Sequence, residues 1–549
     1  MNLYDFFTAE VSRKAGLIKK QGEGNPVISS LEYDSRKVQK GSLYFALPGL
    51  HTDGHAYIDD VLAKGAGVVV HQHELNIKDF CNAGIPEQTL RDTVFIRVAD
   101  SRFAMSSIAA SYYGFPAEKI VLVGVTGTEG KSTTVYLIWQ LLRLAGKKAG
   151  FISTVQYSDG FDVQWNPEHQ TTPEATAIHV RLSEMVKNGA EFAVIEASSH
   201  GLSPRTNRLG DVNFDAAVMT TVTHEHLEFH GSWEQYRDDK ANLFRSLDKR
   251  AASETTRAAA KEFQPFGVIN ADDKSASWFA EATRQKTVMF STAMQNNTAD
   301  LRLVSINSSA KGNCYEVYSA ANGKTFTVED QLPGAFNSGN VLAALLVVSE
   351  LLNTPAEQLV SFVRSLTPVR GRMTGVNRGQ NFEVLVDYAH TPSSFKTIFP
   401  PLRALMDQGA ANGSSCGRII ALFGSAGERD TKKRSEQGTI AAQYSDIVIL
   451  SDEDPRGEDP MAILEEIAEG CEGVTANDST LRLKMCRNET LFLIPDRPAA
   501  IRKAFSLAKP GDLVLLLGKG HENSIIYKDF TMKYDEIAEA EKALDELLH

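Results

Sequence analysis

The chain has 549 residues, room for about three or four domains at roughly 150 residues each, and its 42% hydrophobic content permits large buried cores. A formal net charge of −12 disfavours nucleic acid as the main partner, because phosphate backbones want a basic face, though a local cluster of donors can still hold a small anion. Five scattered cysteines without a C-x-x-C pair argue against a disulfide framework or zinc site, and neither a signal-peptide order nor an apolar run near the roughly 20 residues of a membrane span is present, so a cytoplasmic, membrane-free protein is expected.

In chain order, short apolar runs rich in β-branched residues fall at 68–70, 120–125, 192–195, 216–219, 419–423, 446–450 and 513–517, alternating with amphipathic stretches. Runs apolar at every position predict strands buried on both faces, hence parallel sheets covered by helices. The turn Tyr113-Gly114-Phe115-Pro116 and the Pro/Gly/Arg stretch at 367–372 read as joints, which predicts domains at 1–116, 117–367 and 368–549. The stretch 249–264, rich in Ala, Lys and Glu, predicts a surface helix, and 410–417, small and polar, an exposed loop.

The run ending at Val125 leads into Thr126-Gly127-Thr128-Glu129-Gly130-Lys131-Ser132-Thr133-Thr134 and then an amphipathic stretch at 135–144. Strand, turn and helix in that order are the context of a phosphate loop. The glycines let backbone amides face phosphate oxygens, the helix start adds partial positive charge, Lys131 adds a full one, and Ser132 or Thr133 can hold Mg²⁺ through a hydroxyl. The strict Walker A spacing asks for glycine where Val125 stands, so the loop is a shorter variant, and a plain glycine turn is the rival on spacing alone. Glu196 ends the next run; it reads either as a Mg²⁺ ligand at a strand's carboxyl end or as a turn-capping carboxylate. His224, Glu225, His226, Glu228 and His230 crowd one segment without the H-E-x-x-H spacing of a zinc helix, and a polar loop with incidental histidines is the alternative. Lys240, in a helix-like stretch at 233–246, reads by itself as an exposed lysine.

These residues, together with Asp34-Ser35-Arg36, Asp53-Gly54, Thr171-Thr172-Pro173-Glu174, Gly371-Arg372-Met373, Val386-Asp387-Tyr388-Ala389-His390, Asp454-Pro455-Arg456 and Gly518-Lys519-Gly520-His521-Glu522, resemble the Mur ligase family of peptidoglycan synthesis over nearly the whole chain. The resemblance implies an α/β protein of three domains: an N-terminal nucleotide-sugar domain, a central P-loop ATPase-like parallel-sheet domain and a C-terminal Rossmann-like domain. It implies an ATP- and Mg²⁺-dependent amide ligase that adds a free diamino acid to a UDP-N-acetylmuramoyl dipeptide through an acyl phosphate, as a monomer. It assigns catalysis to Lys131, Glu196, His226 and Lys240, the last carbamoylated so that it joins Ser132, Glu196 and His226 around Mg²⁺. ATP contacts fall to Gly127, Thr128, Glu129, Gly130, Lys131, Ser132, Thr133, Asn270 and Asn340, with Arg372, Asp387 and His390 as a lid over the nucleotide. The nucleotide sugar falls to Ser35 and the Leu50-His51-Thr52 turn, and the muramoyl peptide to Thr171, Thr172, Ser198 and Arg208. The amino-acid pocket falls to Arg429, Glu453, Asp454, Pro455, Arg456, Gly518 and Glu522.

Two departures matter. Glu129 stands where the family usually has asparagine, and Glu453-Asp454 replaces the Asp-Asn typical of meso-diaminopimelate enzymes. An added carboxylate repels a substrate's second carboxylate and favours a side-chain ammonium, so L-lysine or ornithine is expected and diaminopimelate is the alternative. A folylpolyglutamate synthetase-like ligase and a non-catalytic nucleotide-dependent scaffold are the more distant rivals.

Overall fold

The computed structural model describes residues 1–49, 52–167, 170–223, 227–252, 264–309, 312–411, 417–473 and 485–548. The chain forms two compact units: Met1–Arg302 with Tyr318–Lys324 and Gly339–Phe362, and Leu303–Val317 with Thr325–Ser338 and Val363–His549.

The first unit holds two sheets. A five-stranded one runs Leu17–Gln21, Val94–Val98, Val68–His71, Ser42–Phe45, Ser30–Glu32, parallel except for the first strand. In the second, the parallel strands stand in the order Lys286–Ser291, Phe266–Asn270, Ala216–Met219, Val121–Thr126, Phe192–Glu196, Ala149–Ile152, and the antiparallel strands Gln156–Ser158 and Val163–Trp165 extend one edge. Every residue of Val121–Thr126 and of Phe192–Glu196 is buried, the signature of strands covered on both faces. The chain places strands on one side of Val121–Thr126 and then on the other, so a crevice opens at its carboxyl end, where Glu196 pairs in register with Val125 and Met219 with Thr126.

The second unit holds a six-stranded sheet in the order Thr374–Gly375, Glu383–Asp387, Leu513–Leu517, Ile419–Phe423, Ile447–Leu450, Leu491–Leu493, parallel beyond the first pair. Helices Pro392–Ala411, Lys432–Tyr444 and Pro460–Glu472 follow successive strands, and the sheet's two faces each carry an apolar cluster. The carboxyl ends of Glu383–Asp387, Leu513–Leu517, Ile419–Phe423 and Ile447–Leu450 lie side by side, and the motifs expected to carry function follow them directly.

All seven apolar runs form strands, in the α/β class the sequence predicted. Two local expectations change. Residues 410 and 411 belong to the helix Pro392–Ala411 rather than to a loop, and 412–416 lie outside the described residues. The helix beginning at Trp233 runs on to Ala251, taking in the first part of the stretch read as a separate surface helix; 253–263 lie outside the described residues. Among the described residues, no helix is long and apolar enough to cross a membrane.

Candidate active site

The strand Val121–Thr126 turns at Gly127 and enters the helix Lys131–Leu144 through Gly130, whose φ of 80° suits a residue without a side chain. Two neighbours shape the turn. Thr220, just beyond Ala216–Met219, donates from Oγ1 to Glu129 O at 2.5 Å, and Thr128 N donates to Thr221 O at 2.6 Å. Asn340 closes the other side: its Oδ1 accepts from Thr134 Oγ1 at 3.2 Å and stands where a Gly130 Cβ would point. Lys131 Nζ donates to Thr128 O at 2.8 Å, so its charge lies over the loop. Asn270 Nδ2 donates to Thr220 O at 2.8 Å, which sets this expected adenine-side residue behind the same turn. Thr133 is half-buried in the first helical turn.

Glu196, buried at its strand's end, accepts from Ser132 Oγ at 2.9 Å and from Thr154 N at 2.8 Å, both on Oε2. Its own carbonyl accepts from Thr172 Oγ1 at 2.9 Å, and that hydroxyl sits 2.9 Å from Ser198 Oγ. Arg208 donates to Thr172 O at 2.9 Å and to Glu174 Oε1 at 3.0 Å, and Arg102 meets the same Glu174 oxygen at 2.6 Å. Thr172, Ser198, Arg208, Glu196 and Ser132 thus form one hydrogen-bonded group, and Lys131 precedes Ser132 at the helix start. Thr171 is half-buried beside that group.

Lys240 is not an exposed lysine. Only 2% of it is accessible, its Nζ donates to Gly127 O at 2.6 Å, and the Tyr236 ring lies 4.6 Å from the ammonium. It reaches the phosphate loop from the helix Trp233–Ala251. His226, Leu50 and His51 lie outside the described residues. From the same histidine-rich segment, buried His230 is fixed by Asp239 Oδ2 at 2.8 Å and Ser199 Oγ at 3.0 Å; this support was missed in the sequence because Asp239 lies on another helix with no motif to mark it. Ser35 stands apart on the five-stranded sheet's rim, its carbonyl accepting from Lys64 Nζ at 2.7 Å.

The second unit gathers two groups. Asp387 accepts from Met373 N and Ala389 N, each at 2.7 Å; burial pushes its carboxyl up and nearby Arg372 opposes this. The Arg372 guanidinium lies 4.7 Å from the Tyr388 ring, and the Tyr388 ring sits 4.5 Å from both His390 and His521. Burial holds the His521 imidazole well below its ordinary range, so it stays neutral. The second group is acidic: Glu453, Asp454 and Glu522, with fully buried Lys519 donating to Asp454 Oδ1 at 2.9 Å and Glu522 Oε2 at 2.5 Å. Gly518 backs onto Glu453, and Gly427 onto the carbonyl of Pro455. Arg456 holds a φ of 54° and donates its amide to Ile526 O at 2.9 Å, while Arg429 is exposed. Sequence reasoning quoted Lys519 as part of a motif and gave it no role.

Three family models match in chain order: the Mur ligase family catalytic domain at 27–113, the Mur ligase middle domain at 125–348 and the Mur ligase glutamate ligase domain at 371–520. The UDP-N-acetylmuramyl-tripeptide synthetase of Treponema denticola is 47% identical over 98% of this chain and 97% of its own length. The UDP-N-acetylmuramoyl-L-alanyl-D-glutamate–2,6-diaminopimelate ligase of Geobacillus kaustophilus is 33% identical over 95% of this chain and 96% of its own. A solved structure of a ligase with that same 2,6-diaminopimelate name superposes with a TM-score of 0.57 at 26% identity, covering 95% of this chain and 96% of that one. The Thermotoga maritima MurF ligase in complex with ADP shares the fold, with a TM-score of 0.59 at 19% identity over 94% of this chain and 98% of that one.

Proposed function

The chain belongs to the Mur ligase family, whose members are ATP-dependent, peptide-forming ligases, and we propose that it adds a diamino acid to UDP-N-acetylmuramoyl-L-alanyl-D-glutamate as the third peptide residue, with L-lysine or ornithine favoured. The observation that carries this reading is the hydrogen-bonded group of Ser132, Glu196, Thr172, Ser198 and Arg208 beside the Lys131 loop at the crevice of the parallel sheet, in a chain so close to a tripeptide synthetase. The three matched segments, one in each expected part, also support the division at 1–116, 117–367 and 368–549.

The chemistry follows from what these residues can do. The peptide carboxylate attacks the γ-phosphorus of ATP, giving an acyl phosphate and ADP; the amine of the incoming amino acid then attacks the acyl carbon and expels phosphate. Lys131 and the amides of the loop 127–132 neutralise charge on the transferring phosphoryl group, the largest contribution a protein makes to such a step. Arg208, Thr172 and Ser198 hold the acceptor so that its carboxylate is already in line. Ser132 and Glu196 present oxygen donors, which fit a hard cation such as Mg²⁺. His226 and Lys240 would complete the set, the lysine once carbamoylation replaces its ammonium with a carboxylate-like group. When bound, the ion supplies positive charge beside the phosphates.

The choice of amino acid rests on charge. Asp454 is met by Lys519, whereas Glu453 is buried with an Oε2 that has no hydrogen-bond partner. A carboxylate so placed favours an ammonium and opposes a second carboxylate. Arg456, able to fork onto a carboxylate, is what keeps diaminopimelate as the alternative. The test measures ATP consumption with the muramoyl dipeptide nucleotide and a panel of amino acids, with products identified by mass. Faster turnover with lysine or ornithine is expected. A clear diaminopimelate preference overturns the amino-acid assignment, and no turnover with any member of the panel overturns the acceptor.

A further inference from the structure

Three carboxylates stand beyond strand ends on the same side of the second unit's sheet: Glu453 and Asp454 beyond Ile447–Leu450, and Glu522 beyond Leu513–Leu517, with Ile419–Phe423 between the two strands. Desolvated carboxylates this close are unfavourable unless cations meet them. Lys519 meets two of the three. It is 0% exposed, and its ammonium bridges Asp454 Oδ1 and Glu522 Oε2. The bridge is braced from outside: Ile526 N donates to the same Asp454 oxygen at 2.9 Å, and Tyr388 OH donates to Glu522 Oε1 at 3.3 Å. Glu453 is handled differently. Its Oε2 is buried without a partner, and Gly518 makes room for it, since a Cβ there would stand 2.9 Å from that oxygen.

We propose that Lys519 is a specificity-determining positioning residue: by bridging Asp454 and Glu522 it offsets one of the three carboxylate charges and fixes where the others lie, so that the pocket keeps a net negative charge that accepts a side-chain ammonium and opposes a second carboxylate. The proposal rests on the reading of this cluster as the amino-acid pocket. It explains how the chain tolerates aspartate at 454 beside glutamate at 453, because the added charge already has its counter-ion inside the protein.

The physical consequence is a titration that Lys519 suppresses. The groups facing Glu522 are Lys519, Asp454, Glu453 and the Tyr388 hydroxyl. Burial and the two carboxylates push the Glu522 carboxyl up, and Lys519 alone among them holds it down by charge. Without that cation, the Glu522 carboxyl is pushed further up and the pocket's charge becomes more pH-dependent.

The test uses the full-length enzyme, with the amino acid varied at saturating ATP and dipeptide nucleotide, across pH. Lys519→Met is expected to lower kcat/KM for the preferred diamino acid by roughly tenfold or more and to add an ionisation to its pH profile, while KM for ATP stays within about twofold. The double variant Lys519→Met/Glu522→Gln also removes the carboxyl that titrates, so it is expected to lose the added ionisation and to regain part of the lost kcat/KM. An unchanged amino-acid pH profile in Lys519→Met overturns the proposal, and so does a double variant no better than the single one. If Lys519→Met does not fold, the double variant decides alone, a kcat/KM above about a tenth of wild type sustaining the proposal and a larger loss overturning it. Glu453→Gln separates the two layers. If it leaves KM for every amino acid unchanged, the pocket reading itself fails; if it raises KM while the Lys519 variants behave as wild type, only the role of Lys519 fails.

Discussion

Gly127 is the residue on which the phosphate loop turns, and no side chain fits there. A Cβ at this position would stand 1.9 Å from Thr220 Oγ1 and 3.0 Å from Thr221 O. Gly127→Ala must therefore push the loop away from Thr220, and a misplacement near 1 Å costs on the order of 10²-fold in rate. A loss of about that size in ATP-dependent ligation is expected, with the circular dichroism spectrum unchanged, and Thr220→Ala in the same chain should restore part of it. A Gly127→Ala enzyme with wild-type turnover would contradict the role given to the loop. At this scale, legibility follows sequence distance. Lys131, Ser132 and Glu196 were readable because each sits in a glycine turn or at the end of an apolar run. Lys240 was not, since its burial arises from a contact with Gly127 O across 113 positions. Lys519 finds Asp454 across 65, and no local pattern announces such a pair.

Elements in the second unit are pinned by a buried ion pair at two helix starts. Arg497 opens the helix Arg497–Leu507 and Glu536 opens Glu536–Leu548; both are fully buried. The guanidinium forks onto Glu536 at 2.9 and 2.6 Å and also donates to Leu517 O at 2.7 Å and Asp452 O at 3.1 Å. Both helices are thereby tied to the strand ends that bear the acidic cluster. Removing one partner strands the other's charge in the interior, so Arg497→Met is expected to lose about 3–5 kcal/mol of hydrogen-exchange protection along Arg497–Leu507 and Glu536–Leu548, and Arg497→Met/Glu536→Leu to recover most of it. A single variant within about 0.5 kcal/mol of wild type would show that the pair is not the pin. The strands were the readable elements, because burial on both faces writes an uninterrupted apolar run. Helix ends were less so. Pro392–Ala411 contains Pro400 and Pro401 and continues to Ala411, where composition predicts an exposed loop from 410 onward. Once a helix is nucleated, adding a residue is easy, and packing along the rest of its length overrides weak local preference.

Across the whole molecule, the order of short motifs along 549 residues identified the family, while net charge and composition only excluded alternatives. What neither could supply is how the carboxylates titrate, because that depends on burial. Asp34, hydrogen-bonded by Arg36, is held down to about 2, so its contribution to stability is present above its ordinary 3.8 and is lost as pH falls toward 2. Asp452 has the opposite sign. Burial pushes it up to about 6, against the hydroxyl of Tyr527 at 3.1 Å and the charge of Arg497. The folded chain keeps this proton up to about pH 6, whereas the unfolded chain releases it near 3.8. Between those values the native state binds more protons, so this group's contribution falls as pH rises, by about 3 kcal/mol in all. Asp452→Asn keeps the shape and removes the titration. A single unfolding midpoint is poorly defined in a chain of several domains, so the suitable readout is hydrogen exchange resolved along the chain. Protection of Leu513–Leu517 and Ile447–Leu450 is expected to weaken in the wild type from about pH 4 to about pH 6, relative to Asp452→Asn, in which that slope flattens. Equal slopes in the two proteins would mean that Asp452 is ionised in the native state throughout, and that the internal charge balance around Arg497 is closer to neutral than its neighbours imply.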